Sequence, residues 1–314
     1  MANSKMIAQD VVCVPTGISN AYLLGSSENY VLVDSGTPGH DKPILNAVKE
    51  HFGKNAKPCA IVLTHGHFDH SGSALDLARR WGVRIFVHRM ELPFVDGTDS
   101  YPPPDPAVGG FMAQMMRFAP HNKINLSPHV SPLRLSELPW IPGWRIIETP
   151  GHTPGHVSLF RAADGTLIAG DAFTTVDLDS AMAVISKSQQ VSRPPAFFTP
   201  DWQNAERSVR RLADLEPRTL AAGHGVPMAG FAAQGQLRDL SRHFPVPEYG
   251  RYVKEAARTD ESGIASLPPP VADPLKRKAA LSAAAAGAVG ITLWIRSRRS
   301  RRKIAGEAGW QQVA

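Results

Sequence analysis

The stretch Thr64-His65-Gly66-His67-Phe68-Asp69-His70-Ser71-Gly72 sets three imidazoles and a carboxylate within six positions. It follows the short apolar run CAIVLT (59–64), which reads as a buried strand. The cluster therefore stands where a strand hands the chain to a loop. In an extended loop His65 and His67 lie two residues apart and project to the same side, so both can reach one ion. Asp69 and His70 come later, past the turn into a helix that Ser71 would cap and whose apolar positions are Leu75, Ala78 and Trp81. They can face a second position. Taken alone, the four ligands fit one ion or two.

Three later segments repeat the arrangement of a ligand-type side chain after a strand-like run: TPGHTPGH (149–156), IAGD (168–171) and AAGHG (221–225). In this order and over about residues 10–245, the motifs resemble the metallo-β-lactamase superfamily. The resemblance implies an α+β fold, the four-layer αββα sandwich, with a metal site on one edge of two packed sheets. It also implies roles for particular residues. His65, His67 and His152 would hold a first metal, Asp69, His70 and His224 a second, and Asp171 would bridge them. Nitrogen and oxygen donors without sulfur suit two divalent ions, Zn²⁺ foremost, with Mn²⁺ or Fe²⁺ compatible. Two adjacent ions acidify a shared water, and the bridging hydroxide attacks an acyl carbon while Asp69 and Asp171 orient it. His156 in the same GHTPGH motif reads as a packing or supporting residue rather than a ligand. Asp34 in LVDSG reads either as a support for the ligands or as a turn residue without a catalytic role.

Outward from these motifs, VVCVP, NAYLLG and NYVLVDSG read as strands, and 40–51 has helical spacing at Ile44, Leu45 and Val48. VRIFVH, WRIIET, HVSLFRA, GTLIAGD and TLAAGH are further strands, with helices expected over 201–213 and 230–243. The stretch 91–142, with YPPPDP and the Met-rich GGFMAQMMRF, reads as an insertion with one short helix, of the kind that serves as a lid. Residues 1–245 are thus expected as the catalytic domain, 246–275 as a Pro-rich linker and 276–314 as a basic-flanked tail.

The formal net charge is +6, but nine Lys/Arg and one acid lie from Lys276 onward, which leaves 25 basic and 27 acidic side chains in the first 275 residues. A slightly acidic body offers no groove for nucleic acid. Two cysteines make no disulfide framework and no Cys-x-x-Cys metal site. The N-terminal MANSKMIAQDVVCVP has no apolar core of a signal peptide, so the expected location is cytoplasmic. The run 279–295 between basic clusters is a candidate membrane-associating segment at the short limit for a span.

Phe94, Tyr101, Phe111, Met112, Met115, Met116 and Phe118 in the insertion, with Phe173, Phe197 and Phe198 after Asp171, offer material for an adaptable apolar wall. The expected substrate is therefore a small molecule, apolar or bearing an acyl chain, and the expected reaction is hydrolysis of an ester, lactone or related acyl bond. The HFDHSG motif resembles acyl-homoserine lactonases, although Thr174 stands where those enzymes carry a tyrosine. Alternatives are a thioesterase of glyoxalase II type, a phosphodiesterase or nuclease of the same superfamily, and a non-catalytic metal-binding scaffold.

Overall fold

Why the chain folds into four layers is visible in one strand. The computed structural model describes residues 4–118, 123–136 and 138–274. Strand β4 (Tyr30–Val33) is buried along its whole length. Alternate side chains of a strand point to opposite faces. Tyr30 and Leu32 accordingly enter one apolar cluster and Val31 and Val33 another. A strand covered on both faces needs a layer on each side. On one side lie α1 (Asp41–Phe52) and α3 (Ala74–Trp81), whose Ile44, Ala47, Val48, Leu77 and Ala78 share the cluster of Tyr30 and Leu32. On the other side lies a second sheet.

The first sheet has seven strands in chain order: β1 (Lys5–Ala8), β2 (Val11–Pro15), β3 (Asn20–Gly25), β4, β5 (Ala60–Val62), β6 (Ile85–Val87) and β7 (Val130–Pro132). From β4 to β7 the pairings are parallel. The second sheet runs β12-β11-β10-β9-β8, built from β8 (Trp144–Glu148), β9 (Val157–Arg161), β10 (Thr166–Gly170), β11 (Thr219–Ala222) and β12 (Met228–Ala229). Trp144, Ile146, Val157, Leu159 and Ile168 meet the inner face of the first sheet. Leu167, Ala169, Leu220 and Ala222 face outward against Val209 and Leu212 of α7 (Trp202–Ala213) and Leu237 and Leu240 of α8 (Phe231–Arg242). Three apolar clusters separate helices, sheet, sheet and helices: the αββα sandwich.

Several local expectations needed correction. Ser71 does not cap α3. Its hydroxyl donates to the Gly66 and His67 carbonyls within α2 (Phe68–Ser71), and α3 starts after Ser73. The 91–142 stretch holds two short α-helices, α4 (Leu92–Val95) and α5 (Phe111–Met115), and it contributes β7 to the edge of the first sheet. Phe173 is fully buried in the outer cluster of the second sheet, so it lines no cleft.

The body also runs past 245, forming one compact unit to Pro269, with Pro270 onward a second. The prolines suggested a linker, yet Tyr252 is buried with Ala196 and Trp202. Tyr252 donates its hydroxyl to the Pro103 carbonyl at 2.8 Å. A hairpin of β13 (Arg258–Asp260) and β14 (Gly263–Ser266) follows, and the Ile264 amide donates to Asp99 Oδ2 at 2.8 Å. The 279–295 run lies outside the described residues. Among those described, no helix is long and apolar enough to cross a membrane.

The two thiols should differ sharply. Cys13 is 3% exposed and burial pushes its pKa up to about 12, while Cys59 is only partly buried. Titration of the folded protein with a disulfide reagent at pH 8 should label one thiol quickly and the second only after denaturation.

Candidate metal centre

Strands β4 and β5 run parallel in the first sheet. In the second, β8 and β10 both pair antiparallel with β9, and β10 pairs parallel with β11. All five therefore release their C-terminal ends in a common sense within their sheets, and the ligand-type residues sit just beyond those ends. Asp34 follows β4, His65 to His70 follow β5, His152 follows β8, Asp171 follows β10 and His224 follows β11. The sheets are stitched at this edge. The Val157 amide donates to the Thr64 carbonyl at 2.9 Å and the Asn20 amide to the Gly223 carbonyl at 2.8 Å. Asn20 Nδ2 donates to the Ala222 and Gly225 carbonyls at 3.1 and 2.7 Å, and the Tyr22 hydroxyl donates to the Ala222 carbonyl at 2.7 Å.

The structure brings all seven expected site residues together. Ligand atoms of His65, His67 and His152, of His65, His70 and Asp171, and of Asp69, His70 and His224 form three groups, each within 4.8 Å. Asp171 stands between them, with one carboxylate oxygen 3.5 Å from His70 Nε2 and the other 3.5 Å from His152 Nε2 and 3.1 Å from His224 Nε2. Asp69 Oδ2 lies 3.4 Å from His224 Nε2. None of the seven is more than 8% exposed. Gly223 makes room for this crowding, since a Cβ there would collide with Asp171 and His70.

A test of fit comes from the atoms left without partners. His65 Nε2, His70 Nε2 and Asp171 Oδ1 are buried and make no hydrogen bond. Each such atom costs roughly 1–3 kcal/mol unless something satisfies it. All three belong to the cluster and all are lone-pair donors to a cation. The residues fit divalent metal, and the donor set of imidazole and carboxylate is the one such ions take.

Protonation agrees for one half of the site. Burial lowers His67 to about 3 and holds His65 and His152 well below the usual histidine value, so these rings are neutral, the form that ligates. In the other half, burial also acts to lower His224 and His70. There Asp171, with Asp69, outweighs it and raises His224 to about 9 and His70 well above its usual value. A cation seated among those carboxylates competes with these protons.

The residues behind the cluster settle two open readings. Asp34, in the left-handed region at φ 59°, accepts from the Thr64 amide and hydroxyl at 2.8 Å each. Its Oδ2 also meets His70 Nδ1 at 2.8 Å, which turns His70 Nε2 toward Asp171. Asp34 thus supports the ligands. His156 Nε2 accepts the Asp171 amide at 2.9 Å, so its Nδ1 carries the proton and donates to Thr149 Oγ1 at 2.8 Å. His156 is a brace for Asp171 and not a ligand. His224 Nδ1 donates to the Ile18 carbonyl at 2.8 Å, which leaves Nε2 facing the carboxylates.

Sequence reasoning missed Glu91 and gave Tyr101 only as wall material, without its bond to Glu91. Glu91 is fully buried, and it accepts the Gly66 amide at 3.1 Å on one oxygen and the Gly155 amide at 2.6 Å on the other. Tyr101 donates its hydroxyl to Glu91 and accepts the same Gly66 amide at 2.9 Å. One carboxylate therefore ties the loop of His65 and His67 to the loop of His152 and His156. Burial pushes Glu91 up from its usual carboxylate range, although Tyr101 and both amides pull the other way. No motif marks Glu91; its only signal is an acid at the entrance to an apolar helix. Glu91→Gln keeps one acceptor and sets an NH₂ against an amide donor. It should weaken divalent-cation binding about 10- to 100-fold, as read by competition with a chromogenic chelator.

Residues 14–224 match the Metallo-beta-lactamase superfamily. The chain is 39% identical over 229 residues to the probable metallo-hydrolase YflN of Bacillus subtilis, covering 71% of this chain and 87% of that protein. It is 26% identical over 163 residues to hydroxyacylglutathione hydrolase GloC of Haemophilus influenzae, covering 52% of this chain and 70% of that one. The crystal structure of metallo-beta-lactamase family protein TTHA1429 from Thermus thermophilus superposes with a TM-score of 0.50 at 25% identity, over 76% of this chain and 80% of that chain. With the αββα layers and the His/Asp cluster at the sheet edge, these likenesses assign the chain to the metallo-β-lactamase superfamily, as a metal-binding hydrolase.

Proposed function

We propose that the protein is a binuclear metal-dependent hydrolase of carboxylic esters or lactones that carry an apolar chain. One observation carries the substrate class. A cleft of about 420 Å³ opens directly onto Asp69, Asp171 and His224, and Ile18, Phe68, Met112, Met116, Phe197 and Val226 are among the residues that line it. Such walls desolvate a chain and leave the polar cluster to receive the one polar group of the substrate. Flexible methionines from α5 and its continuation suit chains of different length.

When bound, divalent cations supply a water acidic enough to ionise near neutral pH and polarise the acyl oxygen. The chain's own residues do the rest. Asp69 and Asp171 both border the cleft, and in this reading either can take a proton from the nucleophile. The Asp171 main chain is held by its amide on His156, and its two oxygens face different histidines, one His70 and the other His152 and His224. Phe68 and Phe198 line the cleft beside His67, and their rings limit the water that can reach it. Thr174 contributes nothing here, since it is buried and its hydroxyl donates to the Val176 carbonyl at 2.7 Å. Any lactonase activity thus proceeds without a hydroxyl at that position.

The apolar walls and the slightly acidic body argue against a polyanion, and so against a nuclease. The thioesterase reading has the hydroxyacylglutathione hydrolase relative in its favour. Acid release by the metal-replete protein from a long-chain acyl-homoserine lactone, methyl octanoate and a glutathione thioester separates these readings. The first two should be turned over and the third should not. Asp171→Ala should lower kcat/KM at least about 100-fold and release metal together. Unchanged turnover with metal retained would overturn the scheme.

The reading of a cytoplasmic enzyme drawn to membranes rests on the basic clusters beyond Lys276. In co-sedimentation with vesicles containing a third phosphatidylserine, the full chain should pellet and a chain ending at Pro270 should stay in solution.

A further inference from the structure

The motif YPPP (101–104) has no part in the proposed chemistry, yet it forms one wall of a second cleft of about 420 Å³ that also reaches His67. The two clefts share His67, Phe68 and Phe198. The His67 ring lies between Tyr101 and Phe198, with ring centroids 4.6 and 4.7 Å away. The two clefts meet at His67, so a group held beside that ring borders both.

The two spaces differ in stiffness. The first is bordered by Met112 and Met116, which bend. The second is bordered by Pro102, Pro103 and Pro104, whose rings fix the backbone and remove every amide donor from that stretch. The Pro103 carbonyl is already occupied by the Tyr252 hydroxyl. Phe94 and Tyr101 stack there with planes 21° apart and centroids at 4.5 Å, and Phe94 is only 2% exposed. Asp99 at the rim is engaged by the Ser100 and Ile264 amides. Lys123 and Ser100 are the exposed polar members of the lining. The rings of the wall are rigid and cannot mould themselves to a flexible chain. They complement a flat, rigid group.

We propose that this second cleft is a substrate arm for an aromatic or other flat ring, so that the scissile bond joins an apolar chain in the first arm to a ring in the second. The inference rests on the hydrolase reading for the word substrate, but the arm itself is a binding site that can be tested alone. The expected class is an ester with a chain on one side and a ring on the other.

The probe for binding is benzyl alcohol, followed by saturation-transfer NMR on the full-length, metal-loaded protein. Ser100→Trp, on the exposed lip, fills the arm without touching the metal cluster. The native protein should bind the probe and the variant should lose at least tenfold in affinity. The kinetic companion compares benzyl octanoate and octyl phenylacetate with methyl octanoate. At least one ring-bearing ester should exceed the methyl ester about tenfold in kcat/KM. Ser100→Trp should remove that advantage through KM while leaving methyl octanoate as it was. Absence of probe binding to the native protein, or equal effects of Ser100→Trp on all three esters, overturns the arm. Probe binding that Ser100→Trp abolishes, with no ester hydrolysed, upholds the arm and overturns the hydrolase reading instead.

Discussion

Everything at the sheet edge answers to the cost of burying Asp69 and Asp171 among five imidazoles. Removing an ionised carboxylate from water costs several kcal/mol unless opposite charge or hydrogen-bond donors replace the water. Asp171 is 2% exposed, and one of its oxygens makes no hydrogen bond. Burial acts to raise its carboxyl, but His224 and His70 outweigh that and hold it well below the usual range. Divalent charge would take over the part those two protonated rings play. The same demand explains why His65 and His152 are kept neutral by burial while Asp34 holds His70 by its other nitrogen. A lone pair must be presented on one side of each ring, and a partner on the far side selects which nitrogen presents it.

That requirement reaches back into the packing. The ligands arrive from both sheets, so their spacing is only as fixed as the sheets' alignment. The bonds from Asn20 and Tyr22 to the last residue of β11, and from Val157 to Thr64, cross between sheets at the point where the ligands emerge. Glu91 adds a third tie, from the 91–142 stretch to both histidine loops. Gly66 permits it, because a Cβ there would collide with Val95 and Tyr101. The stretch is therefore part of the metal centre's support as well as a wall of the clefts.

The candidate cluster was legible because its residues stand in a fixed order, a strand end and then a histidine or aspartate, four times over, and that order carries the family resemblance. Helices over 201–213 and 230–243 were legible from spacing, and they are α7 and α8 within a residue or two. What escaped is what depends on distant contacts. Glu91 acts on Gly66 and Gly155 from far along the chain and has no motif of its own. Phe173 looked like cleft material by composition, but its burial is decided by helices that follow later. The prolines and glycines after 245 have the composition of a linker, and contacts with distant residues, Tyr252 with Ala196 and Trp202 and Ile264 with Asp99, make that segment part of the body.

The same division separates what the fold determines from what the loops determine. The strand ends set the candidate metal cluster, and with it the reading of a hydrolase, whichever bond is brought there. Selectivity falls to surfaces that the sheets do not build: methionines of α5 and the segment after it on one side, and the proline run with Phe94 on the other. A flexible wall loses side-chain entropy when it orders around a ligand, whereas a proline-aromatic wall has little left to lose. The rigid arm is thus the place where a small ring can be bound at little ordering cost. Binding energy gained there can hold the scissile bond against the cluster while the flexible arm tolerates variation in chain length.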